Sequence, residues 1–292
     1  MQDNTYRSTG SFSPAGVGLG LGLALAAMFP IAFIYAYAVR YIPFIYINFL
    51  ISFGAVFAVA YIYTFGEGLG RNRSRAASLL AMLLTGLLTL FVFWVTFLYV
   101  LSDRRLEYMK MLTDPGHVVD LVKELVSVGW FTLKRARVKG TVYGAMLAVE
   151  AVVYIGIFVY VWWTAMKSRV FCEKCQKWVE RERIAMFFDL APLEAIVTSL
   201  VTGTDAWVNH LRLATGTPSL QIDLASCASC GELHVLTLLR SQDVIDKDGN
   251  ASTEEKVLLE NVLIPAATAA RLKQIVKMIL DDFNSRSPEA PV

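Results

Sequence analysis

Four apolar segments dominate the sequence, and each is long enough to cross a lipid bilayer as a helix. A bilayer core requires about 20 helical residues at a rise of about 1.5 Å each. The segments are 16–39, 44–65, 77–101 and 141–166. A hydrophobic content of 55% exceeds what soluble domains usually carry. The sequence therefore predicts an α-helical membrane protein with four transmembrane helices, in a plasma or bacterial inner membrane, with the lipid bilayer as its first partner.

The predicted organisation has three parts: an N-terminal tail at 1–14, a transmembrane domain at 15–166, and a soluble domain at 167–292. Because the tail carries Arg7 alone as a cation, we expect no cleaved signal peptide. Between the third and fourth spans, Asp114-Pro115 precedes a periodic run of apolar residues. This pattern predicts an amphipathic helix at 115–128, lying on the membrane surface or covering the bundle.

Small residues recur along one face of the first span, at Gly18, Gly22 and Ala26. A four-residue spacing of small side chains lets another helix approach closely. We interpret this face as a packing surface within the monomer, with a dimerisation motif as the alternative.

Glu150 is the one carboxylate inside a predicted span. A charged side chain in the bilayer costs about 2 to 3 kcal/mol on insertion scales, so Glu150 should face the bundle interior, pair or be protonated. A hydrogen bond to a neighbouring helix is the simpler interpretation. The functional alternative is a polar path for transport.

The basic residues give an ambiguous orientation. Arg71, Arg73 and Arg75 favour a cytoplasmic second loop, but the third loop is equally basic, so the positive-inside rule does not decide. We place both termini and the cysteine-containing domain in the cytoplasm, where thiols stay reduced. A net charge of +2, distributed in short clusters beside apolar runs, leads us to expect no nucleic-acid partner.

All four cysteines lie in the soluble domain, as two Cys-x-x-Cys pairs: Cys172 with Cys175, and Cys227 with Cys230. Two such turns facing each other supply four thiolates at tetrahedral geometry, which is typical of a closed structural zinc site. A redox pair or disulfides, and an iron centre like that of rubredoxin, are the alternatives. His210 and His234 are not expected to be ligands, because four thiolates complete the shell.

The surrounding pattern predicts a small α+β domain. We expect strands at 219–224, 232–240 and 256–264, a turn at 246–250, and a positive φ at Gly231. Helices are expected at 190–201, at 205–213 with Asp205 as N-cap, and from Pro265 to about residue 282. Together these elements indicate a zinc-ribbon-like module with a long insertion between its knuckles.

Several motifs together resemble polytopic bacterial membrane proteins of uncharacterised activity that carry a C-terminal zinc-ribbon domain with four cysteine ligands. These motifs are Gly70-Arg71-Asn72, Trp94, Gly129-Trp130, Glu150-Ala151 and Phe171-Cys172-Glu173 with Cys175 and Trp178. The resemblance implies this architecture and no catalytic activity.

The sequence favours a non-enzymatic membrane protein whose zinc domain docks a protein partner or a second copy, as an adaptor or a sensor. It contains no phosphate-binding loop and no metal motif with an open position. A transporter or channel subunit using Glu150, and a thiol redox protein, are the alternatives.

Overall fold

The computed structural model describes residues 4–42, 44–129, 132–133, 136–214, 216–245, 247 and 251–286. The chain divides into two compact units. The membrane unit is Gly10–Lys167, and the C-terminal unit combines Ser168–Val292 with Met1–Thr9. Part of the predicted N-terminal tail at 1–14 thus belongs to the C-terminal unit.

The membrane unit contains the four predicted apolar helices, and each is long and apolar enough to span a membrane. They are α1 (Pro14–Tyr41), α2 (Ile45–Leu69), α3 (Arg75–Leu101) and α6 (Gly140–Ser168). Local sequence explains where two of them begin. Ser13 Oγ accepts a hydrogen bond from Gly16 N, with Pro14 in the first turn, and Ser74 accepts from Ala77 N.

Helices α1 and α2 pack backbone to backbone through glycines. A Cβ built on Gly70 would lie 2.2 Å from Gly16 Cα, and one built on Gly66 would lie 2.8 Å from the carbonyl oxygen of Leu19. Gly16 and Gly20 are both buried. No side chain larger than hydrogen fits at this crossing without displacing backbone, so these glycines set the distance between the two helices.

The packing interpretation of the Gly18 and Gly22 face is wrong within this chain. Both residues are exposed, and a Cβ on either would meet no atom within 4 Å. The first span carries glycine at every second position from 16 to 22, so two four-residue stripes exist, about 200° apart around the helix. Sequence spacing alone could not distinguish the stripe that contacts α2.

The loop between α3 and α6 forms two further helices, α4 (Tyr108–Thr113) and the predicted amphipathic helix α5 (Pro115–Val128). The Asp114 side chain caps α5 by accepting a hydrogen bond of 3.0 Å from His117 N. Val118 is buried and packs with Val95 and Leu98 of α3, so α5 covers the bundle. Short strands β1 (Thr132–Leu133) and β2 (Ala136–Arg137) follow, while Trp130 lies outside the described residues.

Within its described residues, the β structure of the C-terminal unit is a small hairpin and a four-stranded antiparallel sheet. The hairpin pairs β3 (Val170–Cys172) with β4 (Lys177–Val179). The sheet has the order β5-β6-β7-β8. Its strands are β5 (Arg181–Phe188), β6 (Ser219–Ser226), β7 (His234–Ile245) and β8 (Ala251–Leu263). Of the predicted turn at 246–250, only Lys247 lies within the described residues.

One face of this sheet carries the hydrophobic core of the unit. Leu220 and Ile222 alternate along β6 and are fully buried. They pack with helix α7 (Leu193–Thr202), with Trp207 and with helix α8 (Ala266–Arg286), confirming predicted helices near 190–201 and 265–282. The three expected strands are also confirmed.

Two parts of the insertion differ from the sequence-based expectation. Strand β5 was not predicted; it pairs with β6 and adds a fourth strand to the sheet. The helix expected at 205–213 is a short 3-10 helix, Ala206–His210. The Asp205 carboxylate accepts a hydrogen bond from Arg271 Nη1 at 2.7 Å instead of capping the first turn. This tertiary contact removes the cap on which the prediction depended.

Residues 4–9, the N-terminal segment, add to the edge of the sheet at β8. Thr5 bridges Val262 in antiparallel register. Leu263 N donates to Asn4 O at 2.7 Å, and Tyr6 N donates to Asn261 O at 2.6 Å. The segment therefore completes the edge of the C-terminal unit.

Candidate metal centre

The first pair of cysteines lies on a tight turn between β3 and β4. Cys172 ends β3 and pairs in register with Lys177, so the turn between them holds Cys175. Gln176 has a φ of 51°, and its side-chain amide donates to Glu173 O at 2.6 Å. The hairpin and this turn direct both sulfurs to the same side.

The second pair lies between the end of β6 and the start of β7. Cys227 N donates to Leu233 O, and Gly231 N donates to Cys227 O, both at 2.9 Å. Gly231 has a φ of 64°, as the sequence predicted for the residue after the second cysteine. Since β6 and β7 are adjacent in the sheet and Ser226 pairs with His234, the two ends of this loop are held next to each other.

The two turns bring all four sulfurs together. Each Sγ lies within 4.8 Å of every other, and Cys172 Sγ is 3.6 Å from Cys230 Sγ. All four thiols are free, with Cys172 and Cys227 buried and the other two half-buried. Ligands of a tetrahedral ion with bonds of about 2.3 Å stand about 3.8 Å apart, so the cluster needs only small shifts to hold one ion.

The local electrostatics distinguish the four thiols. Burial raises the pKa of Cys172, and partial desolvation together with the neighbouring thiols raises the pKa of Cys175 to about 12. A hydrogen bond from the backbone amide of Glu232 lowers the pKa of Cys230 to about 6. Backbone amides directed at sulfur favour the thiolate, the form that ligates metals.

Two lysines next to the cluster link its two turns. Lys174 forms an ion pair with Glu232, and Lys177 Nζ lies 3.4 Å from Ser229 Oγ. Four thiolates around a divalent cation carry a net charge of −2, and the ammonium groups offset part of it.

His234 is hydrogen-bonded at both ring nitrogens. Its Nε2 lies 2.9 Å from Gly231 O and its Nδ1 lies 2.9 Å from Ser226 Oγ. Since a carbonyl oxygen only accepts, Nε2 carries a proton, and in the neutral ring Nδ1 is then the nitrogen that accepts from the serine hydroxyl. This histidine supports the second turn from outside the group of sulfurs. His210 lies exposed on the 3-10 helix.

Glu150, the polar candidate of the membrane unit, contacts two other helices through tyrosines. Its Oε1 accepts from the Tyr154 hydroxyl at 2.9 Å and lies 3.5 Å from the Tyr35 hydroxyl of α1. Tyr154 is in turn 3.0 Å from Ser52 Oγ of α2. The carboxylate thus joins α6 to α1 and α2 by hydrogen bonds.

A second acid, Glu67, was not predicted as a buried residue, because the predicted second span ended at residue 65. Helix α2 continues to Leu69, and Glu67 is 0% exposed. Its two carboxylate oxygens accept from Asn72 Nδ2 at 2.8 Å and from Ser78 Oγ at 2.9 Å. Among the described residues it has no cationic partner. The sequence signal that could have indicated this buried acid is its position between two glycines directly after an apolar run.

Comparison of the chain with protein-family models, with curated proteins and with solved structures gives no match. The resemblance stated from the sequence motifs therefore stays a prediction. Over the residues that the structure describes, the fold and the site define a protein with four apolar, membrane-length helices and a smaller sheet-containing unit with four clustered cysteines.

Proposed function

We propose that this chain is a non-enzymatic integral membrane protein whose C-terminal unit binds one structural zinc ion and docks a protein partner or a second copy, as an adaptor or a sensor. The observation that carries the proposal is the convergence of four thiols within 4.8 Å. Four sulfurs leave no open coordination position, which is the arrangement of structural rather than catalytic zinc sites.

The surroundings of the cysteines support a zinc-ribbon-like module. One pair is on the β3–β4 turn and the other joins β6 to β7, and β8 extends the same sheet. The insertion between the two cysteine turns adds strand β5 to the sheet, and its helix α7 and 3-10 helix pack on the core face of that sheet. Iron would fit the same four sulfurs, so metal identity is part of the test.

Metal analysis of the full chain in detergent tests the zinc site. We expect about one zinc per chain, lost in Cys172→Ser and Cys227→Ser and kept in the control Ser229→Ala. Ser229 lies between Cys227 and Cys230 and contacts Lys177, but it is not one of the proposed ligands. If the purified chain contained iron in place of zinc, the assignment of the metal would change to iron. Chain with no metal and a reducible disulfide would instead favour the thiol redox alternative.

An exposed arm of the sheet supports docking. The register between β6 and β7 ends at Ser219 and Ser241, but β7 and β8 remain paired as far as Ile245 and Ala251. This arm is exposed on both strands, and Ile245 is 74% exposed. Exposed apolar side chains at the end of a two-stranded arm are suited to burial against a partner.

Co-purification after cross-linking in native membranes tests the docking. Ile245→Lys should reduce recovery of the partner or of a tagged second copy at least tenfold. The control Met278→Lys changes an exposed apolar residue of α8 and should leave recovery unchanged. Equal recovery from both variants, or no stoichiometric partner from the unaltered chain, would count against docking through the arm.

A transporter or channel subunit is the second candidate, favoured by a half-buried carboxylate in an otherwise apolar helix. Glu150 has hydroxyl partners on α1 and α6 that could exchange protons with it. Ion flux in liposomes that depends on Glu150 and falls in Glu150→Gln would support this function. Flux equal to that of empty liposomes would exclude it.

For orientation, we propose that both termini and the cysteine domain face the cytoplasm of a plasma or inner membrane. The support is that all four cysteines are free thiols, which a reducing compartment preserves. Protease added to sealed inside-out vesicles should cleave the C-terminal unit, whereas protease added to intact cells should not. The reverse pattern would overturn the assignment.

A further inference from the structure

The N-terminal segment contacts the first cysteine knuckle as well as the sheet edge. The Tyr6 hydroxyl donates to Phe171 O at 3.0 Å and accepts from Phe171 N at 2.9 Å. One side chain therefore satisfies both backbone groups of the residue directly before Cys172. The ring of Tyr6 packs on the buried cluster that contains Cys172 and Cys227.

A second contact holds the other side of the same cysteine. Thr9 Oγ1 donates to Glu173 Oε1 at 2.8 Å. The segment thus bonds to the residues immediately before and after Cys172, while Tyr6 N bonds to β8. Residues that orient a ligand in this way tune metal affinity although they do not touch the ion.

We propose that the N-terminal segment is a metal-dependent strap: metal in the four-cysteine site and docking of residues 4–9 stabilise each other, and loss of the metal releases the segment. The inference rests on metal binding at the proposed site. The physical reason is that metal binding by Cys172 and docking of Tyr6 both depend on the backbone conformation of Phe171. A fixed Cys172 keeps both Phe171 groups aligned for Tyr6, and a docked Tyr6 keeps Cys172 in its ligating position. Coupling of this kind is reciprocal.

The strap leads directly into the first membrane helix. Residues 10–13 connect Thr9 to Pro14, and Gly10 has a φ of 68°, which other residues adopt less readily. Ser13 caps α1 and its Oγ donates to Gly70 O at 2.6 Å. Residues 11–13 keep their own contacts, because Arg73 N donates to Ser11 O at 3.1 Å and Ser13 N donates to Asn72 Oδ1 at 3.0 Å, so we expect the release to be confined to residues 4–9.

Hydrogen exchange on the full chain in detergent tests the first half of the coupling. With zinc bound, peptides covering residues 4–9 should exchange slowly, because Tyr6 N is hydrogen-bonded to β8. After chelation their exchange should rise at least tenfold, while amides within α3 stay protected. Unchanged protection of residues 4–9 in chain shown to be metal-free would overturn the proposal.

Tyr6→Phe tests the reverse direction and does not depend on the metal-free state staying folded. Removing the hydroxyl should leave one zinc per chain and accelerate zinc transfer to a chelator about 10-fold to 100-fold. The matched control is Tyr46→Phe, which removes the hydroxyl of an exposed tyrosine on α2 and should not change the rate. Equal rates for Tyr6→Phe and the unaltered chain would overturn the strap with the zinc site intact. Absence of zinc from the unaltered chain would instead refute the proposed metal site.

Discussion

Replacing Gly70 with alanine tests how α1 and α2 are held together. The new Cβ would lie 2.2 Å from Gly16 Cα and 2.5 Å from Gly16 N. These neighbours are backbone atoms, so no side-chain rotation can relieve the contact and the helices must move apart. Gly70 has a φ of −86°, so alanine would adopt its backbone conformation without strain, and the collision is the main effect.

The expected loss of stability follows from two opposing contributions. Replacing glycine with alanine at a compatible φ stabilises a protein by about 0.4 to 1 kcal/mol through the unfolded state. Overpacking a tight interface costs about 1 to 3 kcal/mol. We expect a net loss of about 1 to 2 kcal/mol, which lowers the midpoint of thermal unfolding by about 2 to 8 °C for a unit of this size.

The control is Gly22→Ala on the exposed face of α1, where a Cβ would meet no atom within 4 Å. Its midpoint should stay the same or rise slightly. Both variants can be compared with the unaltered chain in detergent by heating and measuring the remaining monodisperse protein by gel filtration. A fall in Gly22→Ala as large as that in Gly70→Ala would refute the assignment of the packing face.

Three further outcomes are expected. Glu67→Ala should lower the free energy of unfolding by about 2 to 5 kcal/mol, because Asn72 and Ser78 each lose the acceptor of a buried hydrogen bond. The yield of detergent-solubilised protein and the midpoint of thermal unfolding measure this loss, and values equal to those of the unaltered chain would contradict the hydrogen-bond network. In metal-free protein at pH 7, alkylation should modify Cys230 first, because a pKa of about 6 leaves this thiol mostly as thiolate. The alkylation rate of Cys230 should fall as the pH drops below about 6. Mass spectrometry of the labelled peptides measures both effects, and equal labelling of all four cysteines would contradict the prediction. His234→Ala should keep one zinc per chain but weaken its binding about 10-fold to 100-fold in a chelator competition, whereas complete loss of zinc would mark the histidine as a ligand.

Long-period patterns were predictable from the sequence because one physical requirement fixes each of them. Bilayer thickness determines the length of an apolar helix, which is why the four spans were found with ends within a few residues. The Cys-x-x-Cys spacing likewise requires a tight turn, and Gly231 marked the end of one such turn correctly. The start of α5 was equally predictable, because its capping residue, Asp114, is adjacent to the helix in sequence.

Features that depend on tertiary partners were not predictable. Glycine spacing allowed two faces of α1, and only the positions of Gly66 on α2 and Gly70 at its C-terminal end select between them. Asp205 is a residue type that commonly caps helices, but its carboxylate accepts a hydrogen bond from Arg271, which is distant in sequence. Glu67 follows an apolar run and resembles the start of a loop, although Asn72 and Ser78 allow α2 to continue through it.

The glycine crossing also constrains how the membrane unit can change shape. Where two backbones touch without intervening side chains, neither helix can rotate or slide without breaking several contacts at once, so we expect α1 and α2 to move as one body. Helix α6 contacts its neighbours through side chains, such as Tyr154 with Ser52 and Phe158 against Gly86. Side chains can exchange rotamers and partners at modest cost, so we expect α6 to shift against the bundle more readily than α1 and α2 shift against each other.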